Sequence, residues 1–106
     1  MSRFDVYKYD NQLVLFVVEV QADILDELIT TVVVPLMPEQ FSADEALPRL
    51  KTIIRINNDN YIFMTTDISA VTRNSLGKYI TNVEENYRYK IIEALDFLFQ
   101  GFRGWP

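Results

Sequence analysis

Short runs of β-branched and aromatic residues fill most of the first two thirds of the chain, and they predict strands. We predict strands over residues 4–9, 13–20, 30–34, 51–56, 61–66 and 68–72. The second run is almost entirely apolar, which is typical of a central strand buried on both faces. Pro35 is predicted to end the third strand because proline cannot donate to a ladder. Residues 57–60, Asn-Asn-Asp-Asn, predict a hairpin turn since Asn and Asp tolerate a positive φ.

Two stretches between these strands lack a strand pattern. Residues 21–28 place Ile24, Leu25 and Leu28 on one helical face, but the segment is short for a helix, so a helical turn and a loop both remain open. Residues 37–50 contain Pro38 and Pro48 among small polar residues, which predicts a long loop with room for one helical turn at 42–47.

The last third of the chain changes to a helical period. Asn82 is predicted as the N-cap, Glu85 completes a capping-box pattern, and Gly101 is predicted to cap the C-terminus. Apolar side chains recur in a stripe about 120° wide. They are Tyr87, Ile91, Ile92, Leu95, Leu98, Phe99 and Phe102. Phe97 lies roughly 145° from the centre of this stripe and is predicted to be at least partly exposed.

The patterns together predict a mainly β fold, with about five or six antiparallel strands followed by a C-terminal α-helix. The length of 106 residues favours one domain that spans residues 1–106. Short meandering sheets of this kind close into small barrels or pack one face against the helix.

Composition excludes several kinds of chemistry. The chain has no Cys, which excludes disulfides and thiolate zinc sites, and no His, which removes the usual imidazole base and the commonest metal ligand. With a formal net charge of −5 and no run of basic residues, it is not expected to bind nucleic acid or an anionic membrane. The N-terminus lacks the apolar segment of a signal peptide and the run at 13–18 is too short to cross a bilayer, so we expect a soluble cytoplasmic protein.

The acidic groups have ordinary structural explanations. The pair Glu84 and Glu85 fits a helix N-terminus, where carboxylates interact favourably with the helix dipole. Asp23, Asp26 and Glu27 offer oxygen ligands for a hard cation, but no glycine-centred loop surrounds them, so a solvated loop is favoured. We therefore expect no metal and no cofactor.

Two further features are open to a functional interpretation. Residues 65–67, Thr-Thr-Asp, offer with Arg73 an acid, a base and an anion clamp, although a strand end followed by a turn is the favoured explanation. The large apolar groups Phe97, Phe102 and Trp105 near the chain end either complete the core or form a surface for self-association or a partner. Between the Thr-Thr-Asp segment and the aromatic chain end, we favour the chain end as the functional feature, acting as a partner surface. We expect no catalytic site.

Four segments of the chain resemble the CcdB toxins. Residues 18–26, Val-Glu-Val-Gln-Ala-Asp-Ile-Leu-Asp, resemble the family's Val-Asp-Val-Gln-Ser-Asp-Ile-Ile-Asp, and residues 33–36 resemble its Val-Ile-Pro-Leu. Residues 64–71, Met-Thr-Thr-Asp-Ile-Ser-Ala-Val, resemble Met-Thr-Thr-Asp-Met-Ala-Ser-Val, and Gly77 falls at the family's position. Residues 94–102 resemble Ala-Ile-Asn-Leu-Met-Phe-Trp-Gly-Ile. The matches occur in the same order over almost the whole chain.

The resemblance implies an SH3-like small barrel with a C-terminal helix, assembled as a homodimer. It implies a toxin of a type II toxin–antitoxin system that is not an enzyme, that binds and poisons the A subunit of DNA gyrase, and that a cognate antitoxin of the CcdA type neutralises. The family's gyrase contacts come from the loop after the second strand and the last turn of the helix. They carry over to Ile24, Leu25, Asp96, Phe99, Gln100, Gly101 and Phe102. Gln100 stands where the best-known member has Trp, and Asp96 stands where it has Asn.

Two other functions stay open. Toxins of the MazF and Kid type share this fold and cleave RNA, and fold alone does not decide because function resides in sites. The acidic balance and the lack of His favour gyrase binding over RNA cleavage. The third possibility is a diverged, non-toxic CcdB homologue that keeps only antitoxin binding.

Overall fold

The computed structural model describes residues 2–9, 14–39 and 52–101, and within these ranges the chain forms seven strands and one α-helix. The strands are β1 (Asp5–Lys8), β2 (Phe16–Glu19), β3 (Thr30–Pro38), β4 (Thr52–Ile56), β5 (Asp59–Phe63), β6 (Ser69–Thr72) and β7 (Tyr79–Asn82), and the helix is α1 (Glu84–Gln100). Short 3-10 turns cover Asp23–Leu25, Thr65–Asp67 and Arg73–Ser75. The predicted mainly β fold with a C-terminal helix is confirmed.

The strands form one antiparallel sheet that curls into a half-barrel. Its order is β4-β5-β3-β2-β1-β7, and β6 pairs with β3 beside this path. The long strand β3 changes partner along one edge, where residues 30–33 pair with β6 and residues 36–38 pair with β5. Because one strand serves two neighbours in turn, the sheet bends around β3 and encloses a core on its concave side.

Strand β3 continues through Pro35, so the prediction that this proline ends the strand is wrong. The amide of Val20 donates to the carbonyl of Val32, and successive residues point their backbone groups to alternate edges, so the nitrogen of Pro35 faces away from β2. On the edge of β3 that faces away from β2, Pro35 lies between the residues that pair with β6 and those that pair with β5. The carbonyl of Pro35 accepts a hydrogen bond from Met64 N at 2.9 Å. The missing N–H therefore removes no bond from the β2–β3 ladder.

Other element boundaries differ from the predictions by a few residues. The hairpin turn is confirmed, and it is formed by Asn57 and Asn58, which have φ values of 52° and 71°. Strand β5 consequently begins at Asp59, earlier than predicted, and β7 is a strand that the sequence pattern does not predict. The predicted loop over 37–50 begins too early, since residues 37 and 38 belong to β3, and residues 40–50 lie outside the described residues.

Apolar side chains pack on both faces of the sheet. The main core lies between the sheet and α1 and includes Val18, Leu36, Ile54 and Phe63, with Ile91, Ala94 and Leu95 from the helix. A smaller cluster of Tyr7, Val17 and Val33 lies on the opposite face. Strand β2 is thus buried on both faces, as predicted. Because strand side chains alternate, Glu19 and Thr31 share the face of the smaller cluster.

Helix α1 has capping residues at both ends. Its N-cap is Val83 rather than the predicted Asn82, but Asn82 Oδ1 still accepts a hydrogen bond from Glu84 N at 2.9 Å. Gly101 caps the C-terminus as predicted, with a φ of 76° and an N–H that donates to Phe97 O at 2.9 Å. In the part of the chain that the structure describes, none of the helices is long and apolar enough to cross a membrane.

Candidate functional site

The first predicted contact segment follows β2, where the chain makes a 3-10 turn and then enters β3. No residue of the Asp23–Leu25 turn is buried, and the exposed fraction of Ile24 reaches 90%. Leu25 and Leu28 are also exposed, and the exposed fraction of Ile29 is 79%. We call residues 23–29 the aliphatic turn, because this segment presents large aliphatic side chains to solvent instead of packing them into the core.

Polar contacts from Arg73 hold the aliphatic turn. Arg73 Nε donates to Leu28 O at 2.7 Å, Nη2 donates to Leu25 O at 3.4 Å, and the backbone N–H donates to Ile29 O at 2.8 Å. The pairing of β6 with the start of β3 brings Arg73 to this position, since Thr72 at the end of β6 lies opposite Thr30. The geometry of the turn thus depends on a residue that is distant in sequence.

Arg73 is itself anchored by a buried carboxylate. Its Nη1 lies 3.0 Å from Glu19 Oε2, and the exposed fractions of the two side chains are 15% and 2%. The hydroxyl of Thr31 donates to the same oxygen at 2.6 Å, and Asp26 Oδ1 lies 3.6 Å from Arg73 Nη1. Sequence reasoning missed this group, although a charged residue in a strand predicted to be buried on both faces requires a partner.

A second polar pair lies at the same face of the sheet, on β1. The hydroxyl of Tyr7 donates to Asp5 Oδ2 at 3.1 Å, and that oxygen also accepts a hydrogen bond from Ser2 N at 2.7 Å. Burial raises the pKa of Tyr7, and the negative charge of Asp5, the hydrogen bond to it and the charge of Glu19 raise it further. Tyr7 therefore remains a neutral hydrogen-bond donor at ordinary pH.

The second predicted contact segment is the end of α1. Asp96 is half-buried, Gln100 and Gly101 are exposed, and the exposed fraction of Phe99 is 71%. Phe102, the remaining predicted contact, lies outside the described residues. A Cβ added to Gly101 would meet no atom of the described residues within 4 Å.

Phe99 lies on the predicted apolar stripe of the helix, but it is exposed. The buried residues of α1 are Ile91, Ala94 and Leu95. Ala94 is absent from the predicted stripe. Ile92 lies about 100° from Ile91 around the helix axis and still packs against the core, whereas Phe99 is only about 80° away. The exposure of Phe99 therefore follows from its place in the last turn, beyond the last buried residue Leu95, and not from its angle. Phe97 is half-buried, which confirms the prediction that it is at least partly exposed.

The predicted contact residues therefore form two groups. Ile24 and Leu25 lie together on the aliphatic turn, and the described residues of the second group lie together at the end of α1. The two groups have different neighbours, since Arg73 holds the turn whereas α1 packs against β4 and the Thr65–Asp67 turn. A partner that contacts both groups must therefore bridge two separate elements.

The residues considered for catalysis do not assemble around Arg73 as an anion clamp. Thr65 is buried, and its hydroxyl lies 3.4 Å from Phe63 O, whereas Thr66 and Asp67 are exposed on a turn that packs against α1. The guanidinium of Arg73 is directed to Glu19 and to carbonyls of the aliphatic turn. This arrangement gives Arg73 a structural task rather than an exposed charge for a phosphate.

The acidic residues considered for a cation are used in other contacts. Asp23 Oδ1 accepts a hydrogen bond from Arg3 N, and Asp26 faces Arg73. Glu84 and Glu85 lie in the first turn of α1, as predicted. Over residues 2–9, 14–39 and 52–101, no group of three or more His, Cys, Asp and Glu side chains is arranged to hold a metal ion.

Residues 3–101, which include both described contact groups, match a family model described as CcdB protein. The chain belongs to the CcdB family. The match confirms the resemblance identified from the four sequence segments. CcdB proteins are toxins of toxin–antitoxin systems, and this CcdB chain is accordingly assigned to that class of toxin.

Two solved structures share the fold of this CcdB chain. One is an endoribonuclease in complex with its cognate antitoxin from Mycobacterial species, with a TM-score of 0.77, 19% identity, and coverage of 100% of this chain and 99% of that chain. The other is an endoribonuclease from Mycobacterial species, with a TM-score of 0.76, 18% identity, and coverage of 100% and 95%. Similarity at this level of identity establishes the small-barrel fold with its C-terminal helix. It does not establish the activity, which depends on the residues of the site.

Proposed function

We propose that this CcdB protein is a non-enzymatic toxin that binds the A subunit of DNA gyrase and is neutralised by a cognate antitoxin. The observation that carries the proposal is the exposure of large apolar side chains, Ile24 and Phe99 above all, at positions where the family resemblance implies gyrase contacts. The proposed contact residues are Ile24, Leu25, Asp96, Phe99, Gln100 and Gly101, together with Phe102 outside the described residues.

Exposed apolar side chains of this size are suited to bind a protein partner. Full burial of one Ile or Phe side chain contributes about 1.5–3 kcal/mol, and a few such anchors dominate many interfaces. Gln100 offers amide hydrogen bonds where the best-known family member has an indole. Phe99 therefore becomes the aromatic anchor that we assign to the described part of the helix end.

We further propose that the protein acts as a homodimer and that its antitoxin competes for the gyrase-binding surface. The antitoxin proposal is supported by the structural relative that was solved with its cognate antitoxin. The dimer proposal is supported by the family resemblance and by the apolar character of the helix end, where Phe97 and Leu98 are only half-buried on the isolated chain. An isologous dimer would place the same patch of each subunit against its mate.

RNA cleavage is the second candidate function, because two proteins of the same fold are endoribonucleases. The chemistry of this chain supports it less well. The chain has no His and a net charge of −5, and Arg73 is engaged by Glu19 instead of facing Thr66 and Asp67. An RNA phosphate would meet few basic groups and no imidazole base here.

Induced expression in gyrase-sensitive and gyrase-resistant bacteria tests the proposed function. We expect the parent protein to arrest only the sensitive strain, and Phe99→Asp to lose this effect because it puts a charge on the contact surface. Tyr89→Asp is the matched control, since Tyr89 is also an exposed aromatic residue and lies about 15 Å from Phe99 toward the N-terminus of the helix.

Other outcomes of this experiment contradict the proposal in distinct ways. Arrest of both strains, accompanied by cleavage of long RNA in vitro that Thr66→Ala or Asp67→Asn abolishes, would establish the endoribonuclease alternative. Arrest of neither strain, with the antitoxin still bound, would establish the non-toxic homologue. Thr66 and Asp67 are the appropriate test positions because they are exposed, whereas replacement of Arg73 disturbs a buried ion pair.

A further inference from the structure

The aliphatic turn is a binding segment that its own side chains do not fix. Ile24 and Ile29 are exposed to 90% and 79% and contribute little packing, while Leu25 and Leu28 are exposed to 44% and 48%, so side-chain packing holds the backbone only in part. Segments with few buried apolar contacts open locally at low free-energy cost. A partner that binds Ile24 and Leu25 would then have to order the turn first, which weakens binding. Polar contacts must therefore pre-organise the turn, and Gln21, whose Nε2 donates to Leu25 O at 3.3 Å, supplies only one weak contact within it.

Arg73 has the geometry for that task. A guanidinium carries five N–H donors in a rigid planar fork, so it can contact several acceptors at once. In this structure the fork reaches two backbone carbonyls of the turn, those of Leu25 and Leu28, and also lies near the carboxylate of Asp26. The remaining side of the fork rests on Glu19 in the interior of the sheet. The turn is thereby connected to a buried residue at the end of β2.

The anchor is poorly suited to contribute stability. Glu19 Oε2 accepts hydrogen bonds from Arg73 Nη1 and from the Thr31 hydroxyl. Glu19 Oε1 is buried and has no hydrogen-bond partner among the described residues. Removing a carboxylate from water is costly, and an ion pair with an unsatisfied oxygen compensates that cost incompletely. A role in fixing one conformation explains the pair better than a contribution to the free energy of folding.

We propose that Arg73 is a positioning residue that holds the aliphatic turn in its binding conformation, with Glu19 as its anchor. The inference rests on the proposed function, because it concerns how Ile24 and Leu25 are presented to gyrase. Arg73 is largely covered by the contacts that it makes and acts through the turn. Replacing the pair by uncharged groups should therefore change the turn much more than the fold.

Amide hydrogen exchange of the double variant Glu19→Gln/Arg73→Met tests the positioning role directly. Gln can still accept the Thr31 hydroxyl, and Met leaves no buried charge without a partner. The amides of Leu25, Asp26 and Leu28 report on the turn, since each donates to a carbonyl within residues 22–25 at 3.0–3.1 Å. We expect these amides to exchange at least tenfold faster than in the parent, while exchange in the β2–β3 ladder is unchanged.

Two further variants serve as controls for the exchange experiment. Glu84→Gln/Arg88→Met removes a surface pair with the same change in charge and should leave exchange of the turn unaltered. Arg73→Lys retains a positive charge beside Glu19 but lacks the fork, so we expect a protein that melts near the parent's temperature and still shows faster exchange in the turn. Arg73→Lys also preserves the test if the double variant does not fold. Exchange that is unchanged in Arg73→Lys and in a folded double variant would overturn the proposal.

Calorimetric titration with a fragment of the gyrase A subunit connects positioning to binding. We expect the folded Arg73→Lys variant to bind at least tenfold more weakly than the parent, and Glu84→Gln/Arg88→Met to bind like the parent. Faster exchange with unchanged affinity would overturn the inference while leaving gyrase binding intact. If the parent itself does not bind, the proposed function has failed, and the exchange result alone decides whether Arg73 positions the turn.

Discussion

Gly77 lies directly against the backbone of Lys8: its N–H donates to Lys8 O at 2.8 Å, and a Cβ on Gly77 would lie 2.7 Å from that same oxygen. The contact joins the segment before β7 to the end of β1, so it helps to place β7 beside β1 at the sheet edge. No flexible side chain can move aside here, because the atom that the Cβ would meet belongs to the backbone.

We predict that Gly77→Ala lowers the free energy of unfolding by about 1–3 kcal/mol, as is usual when a group is forced into a filled space. The melting temperature should fall by roughly 4–8 °C for each kcal/mol. Circular dichroism during thermal and urea unfolding measures both quantities. If Gly77→Ala has the same melting temperature as the parent, the backbone around Gly77 and Lys8 can move apart without lowering the free energy of unfolding.

The raised pKa of Tyr7 predicts lower stability at alkaline pH. The unfolded-state pKa of tyrosine is about 10, and burial raises the folded-state value above it, so the folded protein keeps this proton to a higher pH. The contribution of Tyr7 is therefore fully present below about pH 10 and is lost as the pH rises further. Burial followed by the charge of Asp59 also raises the pKa of Tyr61, which acts in the same direction.

Urea unfolding at several pH values checks the role of Tyr7. Tyr7→Phe should reduce the alkaline loss of stability, while costing about 1 kcal/mol at neutral pH through the lost hydrogen bond to Asp5. Tyr89→Phe is the matched control, since that side chain is exposed and should change neither quantity. Equal alkaline losses in the parent and in Tyr7→Phe would assign the effect to other groups.

Features that depend on neighbouring residues could be predicted from the sequence, whereas features that depend on distant ones could not. The Asn57–Asn58 turn and the Gly101 cap follow from backbone preferences of single residues. The passage of β3 through Pro35 depends on which neighbour faces its nitrogen, and that requires the sheet order. The pair of Glu19 and Arg73 is separated by 54 positions, and no local pattern connects the two residues.

The candidate site shows the same division. Family resemblance predicts Ile24 and Leu25 as contacts, while the structure adds that their turn extends in exposed aliphatic residues to Ile29 and accepts hydrogen bonds from Arg73. The exposure of Phe99 could not be obtained from helical periodicity alone. The period fixes which residues share a face, but the position of the sheet fixes where that face ends.

Leu95 and Phe99 should respond differently to the same substitution. Leu95 is buried against the sheet, so Leu95→Asp places an unpaired charge in the core and should lower stability by more than about 3 kcal/mol, which leaves little folded protein. Phe99→Asp adds the same charge at an exposed position and should change stability by less than about 0.5 kcal/mol. Thermal unfolding of the two variants separates a core position from a surface position. Similar melting temperatures for the two variants would contradict the assignment of Leu95 to the core and Phe99 to the surface.

The proposed homodimer predicts a mass of twice 12.4 kDa in sedimentation equilibrium at micromolar concentration. We expect the C-terminal helices to lie near the two-fold axis, since apolar residues of the helix end, among them the half-buried Phe97 and Leu98, form a patch for an isologous contact. Phe99→Asp should still sediment as a dimer, because the proposed gyrase contact requires Phe99 to stay accessible beside that patch. A monomer mass for the parent would contradict the dimer. A monomer mass for Phe99→Asp alone would place Phe99 in the two-fold contact and remove it from the gyrase contact.

The end of the helix carries the sharpest prediction about binding. Gly101 adopts a φ of 76°, which side chains disfavour, so any replacement there should cost on the order of 1 kcal/mol. Among the described residues no atom lies within 4 Å of its Cβ position, so none of them adds a clash to this cost. Gly101→Glu should therefore remain folded, with a melting temperature a few degrees lower, and it should lose binding to a gyrase A-subunit fragment.

Gly101→Ala separates backbone strain from obstruction of the partner. It imposes the same φ penalty with the smallest side chain, so its stability should match that of Gly101→Glu while its affinity for the gyrase fragment lies between those of Gly101→Glu and the parent. Calorimetric titration of the three proteins beside their melting curves gives both quantities. If Gly101→Glu binds as tightly as the parent, a charged side chain is tolerated at the helix end, and the gyrase contact must lie away from Gly101. If both variants lose binding equally, the backbone conformation at Gly101 determines affinity, rather than the space left by the absent side chain.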